Sequence, residues 1–344
     1  MEALVIHAPG DLRVEEFETA ELGAGQLQVR VRCGGICGSD LHYYQHGGFG
    51  TIRIKEPMAL GHEVAGVIEA VGAGVTDFKP GERIAISPSR PCGLCSYCQQ
   101  GLQNHCLDMR YYGSAMRTPH VQGAFRQQIV VEAHQAHRLA DSLSDAEGSM
   151  AEPFAVALHA VRRAGSLLGK RVLVTGCGPI GALAIIAARR AGASHIVATD
   201  VGAHTLGKAL KVGADEVVNV ADMPDGLARF SADKGSFDVL VEASGNARAL
   251  VGAFDALRPR GVIVQLGLGG DMTLPINTIV AKEFDLRGAF RFHEEFAVAV
   301  ELLNKGLVDV KPLISATLSY RDSARAFALA ADRSQSMKVI LNFD

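Results

Sequence analysis

Arg171-Val172-Leu173-Val174-Thr175-Gly176-Cys177-Gly178-Pro179-Ile180-Gly181 decides the architecture of this chain. An apolar strand runs into a glycine-rich turn, and residues Pro179 to Ala191 continue as a helix. In such a turn the first glycine permits a tight bend, the second lets the backbone approach an anion, and the third lets helix pack on strand. The free N–H groups at the helix start favour phosphate. Gly176, Gly178, Pro179, Ile180 and Gly181 are therefore candidate dinucleotide-binding residues; the alternative is a glycine turn that only joins two elements. Asp200 closes the next strand, His195 to Asp200, where it would accept hydrogen bonds from ribose hydroxyls and repel a 2′-phosphate. No arginine follows in residues 201–205, so NAD is expected over NADP.

Working outward, the same alternation continues with a helix from Ala203 to Val212, strands at Phe237 to Glu242 and Gly261 to Leu266, and helical spacing from Asn246 to Leu257. The strands are near-continuous apolar runs, as in a parallel sheet covered on both faces. Before Met150 the rhythm differs. Short alternating segments, at 3–6, 28–32, 64–68, 83–86 and 128–131, are separated by Gly/Pro punctuation and read as a twisted, mostly antiparallel β-rich domain. After Phe290 come a helix from Glu294 to Asn304, another near Arg321 to Ala331, and a strand from Lys338 to Leu341. Periodicity alone assigns this last part to neither half. The expected fold class is α/β: a β-rich domain followed by a doubly wound parallel sheet.

Bulk properties agree. A chain of 344 residues exceeds the size of a single core, so two domains are expected. A net charge of −3 with 21% charged residues provides no basic face for nucleic acid. The longest apolar run, Val172 to Ala188, is interrupted by three glycines and Pro179 and falls short of the roughly 20 residues that span a bilayer, so no membrane partner is expected. Seven cysteines without an even framework, and no secretory run at the start, fit a reducing, cytoplasmic setting.

Four of those cysteines, Cys92, Cys95, Cys98 and Cys106, form a comb with two, two and seven intervening residues. Four thiolates can close a tetrahedral zinc shell and leave no position for substrate, so this metal is expected to be structural. Two disulfides in a secreted protein are the alternative. Chemistry then needs a second metal, for which Cys37, His62, Glu63 and Glu152 are the remaining ligand candidates. Singly, Cys37 reads as a small core hydrophobe, His62 as a hydrogen-bonded core imidazole and Glu63 as a surface charge. Jointly they offer the mixed sulfur, nitrogen and oxygen set of a catalytic zinc with one position left to water.

Gly61-His62-Glu63 with Gly66, Gly72 and Val75 behind it, the comb, and the glycine loop, in that order, resemble the zinc-dependent medium-chain dehydrogenases over essentially the whole chain. The resemblance implies a GroES-like catalytic domain (1–148), a Rossmann domain (149–290) and a return to the catalytic domain (291–344). Ala151-Glu152-Pro153 carries glutamate where alcohol dehydrogenases have a cysteine ligand, which is similar to the polyol or sorbitol dehydrogenase branch. Residues 34–45, 108–116 and 288–292 resemble members of that branch that act on sugar acids. One departure, Gln128 where many relatives have tyrosine, is expected to affect packing only.

The resemblance implies that one zinc per chain is catalytic and one structural. Glu63 or Glu152 would lie next to the catalytic zinc or its water. Asp40 would orient His62, and Ser39 and His42 would relay the alcohol proton to solvent. Ser39 as a turn residue and His42 as a surface side chain are the plainer readings. A sugar-acid substrate needs a cationic clamp, for which Arg110, Arg117 and Arg291 are candidates, with Tyr43 as a further substrate neighbour. A homo-oligomer, dimer or tetramer, is also implied. A polyol dehydrogenase, a non-catalytic zinc- and nucleotide-binding relative and a redox-sensing zinc protein are the competing readings.

Overall fold

The glycine turn sits at the carboxyl end of the first strand of a six-stranded sheet in the computed structural model, which describes residues 1–344. All five pairings in this sheet are parallel. Numbered along the chain from Arg171–Thr175, the strands lie in the spatial order 3-2-1-4-5-6, the doubly wound arrangement. Its first and fourth strands, Arg171–Thr175 and Phe237–Glu242, are neighbours, so the order reverses at the glycine turn. Ligands bind at such switch points. Helices Pro179–Arg190 and Ala203–Lys211 follow strands one and two as expected. The helix expected over 246–257 ends at Gly252, because Leu257 already begins the next strand, Leu257–Gln265.

The other large sheet has seven strands. Gln26–Gly35 pairs antiparallel with Glu63–Val71, with Gln128–Glu132 and with the distant strand Lys338–Asn342. The C-terminal stretch thus returns to the first sheet, also through Ile314–Ser319, which pairs parallel with Lys338–Asn342. Val29, Val31, Val64, Ile68, Ile129, Val339 and Leu341 share one core on this sheet. A second core is built largely from helix Ala151–Ala164 packed on Pro179–Arg190 and the parallel sheet.

No helix is assigned to that segment from the sequence, although its polar residues Glu152, His159, Arg162 and Arg163 recur at helical spacing. Its Pro153 is tolerated because it falls in the first turn, where an N–H has no intrahelical partner. Two short strands, Glu216–Asn219 and Asp285–Gly288, carry neither an alternating nor a continuous apolar pattern, whereas Ile314–Ser319 alternates apolar and polar residues. No helix is long and apolar enough to cross a membrane.

Candidate active site and its two metal centres

Strand register assembles the first centre. Gly35 pairs with Glu63, and Ile340 pairs with Gly35, so Cys37, His62, Glu63 and Lys338 converge at adjacent strand ends. Donor atoms of Cys37, His62 and Glu63 lie within 4.8 Å of one another. Space is reserved for the carboxylate: a Cβ on Gly35 would collide with Glu63 Oε2. Gly61, at φ +93°, makes the left-handed turn that delivers His62, and any side chain there would strike Phe125. Both are requirements for glycine.

The helix Gly38–His46 starts at Cys37. Its Asp40 is buried and accepts from the backbone N–H of Cys37 (2.9 Å) and Gly61 (3.2 Å). Asp40 Oδ1 is 3.9 Å from His62 Nδ1, which has no hydrogen-bond partner. Asp40 therefore acts on the imidazole through charge, with its hydrogen bonds spent on the loop. Tyr43, one turn on, is buried, and its hydroxyl accepts from the Ala115 N–H at 3.0 Å. Ser39 and His42, three residues apart, share a helix face; Ser39 is half-buried and His42 exposed.

Glu152 enters in the first turn of helix Ala151–Ala164 and is buried. The Tyr111 hydroxyl donates to its Oε1 at 2.5 Å. Tyr111 also packs on His62, ring centroids 5.7 Å apart. Lys338 lies behind Glu63 and donates to both carboxylate oxygens, at 2.8 and 2.7 Å, and to the Ile36 carbonyl at 3.1 Å. Sequence reasoning assigned no role to Tyr111, although it lies in the 108–116 stretch, or to Lys338, which belongs to no local motif.

The field at this centre is strongly negative. Burial opposes the imidazolium of His62, yet Asp40 and Cys37 outweigh it and lift the pKa to about 10. Burial, reinforced by Glu63, raises the Glu152 carboxyl to about 7, although His62 and the Tyr111 hydroxyl pull it down. Burial also opposes the charge on Lys338, and Glu63 and Cys37 reverse the effect. His62 and Glu152, both holding their protons above the usual range beside Cys37 and Glu63, mark a site built to hold a cation. Its donor set fits zinc.

The comb forms the second centre, with its four sulfurs within 4.8 Å of one another. Backbone N–H groups point at them: Cys92 N–H to Cys106 Sγ at 3.1 Å, Cys95 N–H to Cys92 Sγ at 3.3 Å, and Asp108 N–H to Cys106 Sγ at 3.3 Å. Hydrogen bonds from the backbone of Cys98 and Leu107 push the Cys95 thiol down to about 6. All seven cysteines are free thiols. Four thiols with thiolate-stabilising amides fit a closed structural zinc shell.

Of the three arginines considered, Arg291 reaches the first centre. Its guanidinium lies 4.2 Å from the Tyr111 ring centroid and donates to Met116 Sδ at 3.1 Å, with no carboxylate partner. Arg110 neighbours Tyr111 on a strand, where successive side chains point to opposite faces, and lines a polar cleft with Arg90, Cys92 and Glu132. Arg117 is held on the comb's loop by Asp108 and the carbonyls of Met109 and Leu107. Gln128 sits at the surface, bonded to Glu69.

The nucleotide loop closes as the glycines require. Gly176, at φ +84°, would place a Cβ 2.6 Å from Ser244 N, and a Cβ on Gly181 would collide with the Gly176 carbonyl. Gly178 caps the helix and Pro179 opens it, followed by Ile180. Asp200 accepts from the N–H of Cys177 (2.6 Å) and Gly202 (2.9 Å), so it holds the turn as well as facing it.

Comparison with known proteins places this geometry. Residues 23–141 match the alcohol dehydrogenase GroES-like domain, and residues 179–305 match the zinc-binding dehydrogenase family. The chain is 43% identical to L-idonate 5-dehydrogenase (NAD(P)(+)) of Escherichia coli K12, covering 92% of this chain and 91% of that protein. It is 36% identical to sorbitol dehydrogenase of Gallus gallus, covering 99% and 96%. The crystal structure of the E. coli L-idonate 5-dehydrogenase superposes with a TM-score of 0.95 at 41% identity, covering 99% of this chain and 97% of that one. With both halves matched and the fold shared from end to end, the chain belongs to the zinc-dependent medium-chain alcohol and polyol dehydrogenases, as an oxidoreductase with a GroES-like unit and a Rossmann unit.

Proposed function

We propose that this chain oxidises the C5 secondary hydroxyl of an aldonate of the L-idonate type to the 5-keto acid, reversibly and with NAD as hydride acceptor. The observation that carries the aldonate reading is Arg291: a guanidinium without a carboxylate partner, stacked on the tyrosine that bonds Glu152. A planar fork of donors there suits a substrate carboxylate. Zinc held by Cys37, His62 and either Glu63 or Glu152 would supply Lewis acidity to the substrate hydroxyl, and bound NAD the hydride acceptor.

The chain's own groups do the rest. Ser39 Oγ and the His42 ring, on one helix face, pass the hydroxyl proton to solvent. Burial, His46 and Arg333 lower the His42 pKa, so the ring is neutral at pH 7 and can accept that proton. Glu152 and Tyr111, joined by a hydrogen bond, orient the substrate beside His62. Tyr43, buried on the core side of the helix Gly38–His46, supports the site from the core through its bond to the Ala115 backbone. Cys92, Cys95, Cys98 and Cys106 hold the structural zinc. Gly176 to Gly181 and Asp200 hold the dinucleotide, with Asp200 selecting against a 2′-phosphate. We assign residues 1–148 and 291–344 to the catalytic domain and 149–290 to the Rossmann domain. A homo-oligomer is supported by the edge strand Asp285–Gly288, whose Leu286 is exposed together with Ile276 and Val280. The free thiols favour a cytoplasmic setting.

A polyol such as sorbitol is the second reading, favoured by the sorbitol dehydrogenase likeness over nearly the whole chain. Turnover of a panel of aldonates and polyols, with NAD or NADP and with or without a zinc chelator, separates the two. Arg291→Ala should raise KM for an aldonate roughly 10- to 100-fold and leave a neutral polyol unaffected. Equal effects on both would remove Arg291 from carboxylate recognition.

A further inference from the structure

The segment Asp332–Met337 joins helix Ser323–Ala331 to strand Lys338–Asn342, far in sequence from the glycine loop. It is tied into a tight turn. Asp332 accepts from Ser334 N–H (3.0 Å), Ser334 Oγ (2.6 Å) and Gln335 Nε2 (2.5 Å), and Ser336 Oγ donates to the Leu329 carbonyl at 2.6 Å. The turn presents Arg333 across the cleft. A Cβ placed on Gly178 would lie 3.3 Å from Arg333 Nη1 and meet no other atom within 4 Å beyond its chain neighbours.

Three features make this arrangement informative. Arg333 is exposed and appears in no ion pair or side-chain hydrogen bond, so its charge is free. Gly178 caps the helix Pro179–Arg190, whose first N–H groups and dipole already favour an anion at that spot. The other cation on the returning segment, Lys338, is buried and committed to Glu63, so it is not available to the loop. A guanidinium aimed from one unit at the phosphate-binding backbone of the other completes a two-sided cradle for a diphosphate.

We propose that Arg333 binds the diphosphate of the dinucleotide, clamping it from the catalytic side while the helix N-terminus holds it from the Rossmann side. The inference rests on the reading that the glycine loop holds a dinucleotide, and adds a residue outside that loop's motif. It also makes cofactor affinity depend on how the two units meet, because the clamp exists only when the 332–337 turn faces Gly178. Arg333 is a binding residue for the cofactor, with no contact to the reacting carbon assigned to it.

The test uses zinc-loaded full-length protein and calorimetric titration with NADH. Arg333→Gln should raise the NADH dissociation constant roughly 10- to 100-fold, the usual weight of a charge-assisted contact to phosphate. Increasing KCl should weaken NADH binding more steeply in the parent than in the variant, since the variant has lost one ionic contact. Arg333→Lys should recover part of the loss. Adenosine, which carries no phosphate, should inhibit parent and variant with the same constant. An Arg333→Gln protein that binds NADH within twofold of the parent, or that loses adenosine affinity equally, overturns the clamp alone. Failure of the parent to bind NADH would instead bring down the dinucleotide reading and the clamp with it.

Discussion

Removing the Lys338 ammonium is the sharpest perturbation the first centre offers. Its side chain is 2% exposed and that of Glu63 0% exposed, and both Glu63 oxygens depend on it. At about 3 Å and an effective dielectric near 20, the pair attracts by roughly 5–6 kcal/mol, most of which offsets desolvation. Lys338→Met fills the volume but strands a buried carboxylate, which costs about 3–5 kcal/mol. If the proposed catalytic domain, residues 1–148 and 291–344, unfolds as one unit, at ~2.1 cal/mol/K per residue, that lowers the melting midpoint by roughly 7–12 °C. Scanning calorimetry on zinc-loaded and chelated protein reads it, and the loss should be larger after chelation, when no metal charge remains to compensate Glu63. Adding Glu63→Gln removes the stranded charge and should restore at least half of the lost stability. A single variant melting within about 2 °C of the parent, or a double variant no better than the single, refutes the reasoning.

Three further outcomes follow from other contacts. Tyr111→Phe removes a hydrogen bond that favours ionised Glu152; the Glu152 pKa then rises, so the lower limb of the kcat pH profile moves to higher pH. Burial opposes the charge on Glu295, but His159 and the backbone N–H of His293 hold its pKa at about 2. Its stabilisation, about 1–2 kcal/mol after allowance for partial solvent screening, is present above pH 4.5 and disappears as the pH falls toward 2; Glu295→Gln should flatten that part of the stability profile, measured by urea denaturation. Gly181→Ala drives a methyl into the Gly176 carbonyl and should weaken NADH binding tenfold or more in a titration.

What could be read from the sequence divides along sequence distance. The comb and the glycine loop each fit in one short segment, so spacing alone carries their chemistry. Cys37, His62 and Glu63 could be read as a joint ligand set from their chemistry, but not as neighbours, because only the antiparallel register of Gly35 with Glu63 brings them together. Lys338 and Arg333 were silent, since a lone cation in a loop or at a strand start looks the same whether it faces water or a buried carboxylate. The three arginines were equivalent in sequence. Strand alternation turns Arg110 away, the comb's own carbonyls hold Arg117, and a left-handed backbone at Arg291, φ +54°, aims the third at Tyr111. The helix Ala151–Ala164 escaped notice although its polar residues Glu152, His159, Arg162 and Arg163 recur at helical spacing on one side.

The two metal pockets differ in when they can exist during synthesis. The comb is complete once residues 92–106 have left the ribosome, so its ion can be acquired early and locally. The other pocket includes a side chain 275 residues after Glu63 and waits for the final strand to slot between its neighbours. A chain truncated before Lys338 would therefore keep all four comb cysteines together with Cys37, His62 and Glu63, but would leave the Glu63 carboxylate without its buried counter-charge.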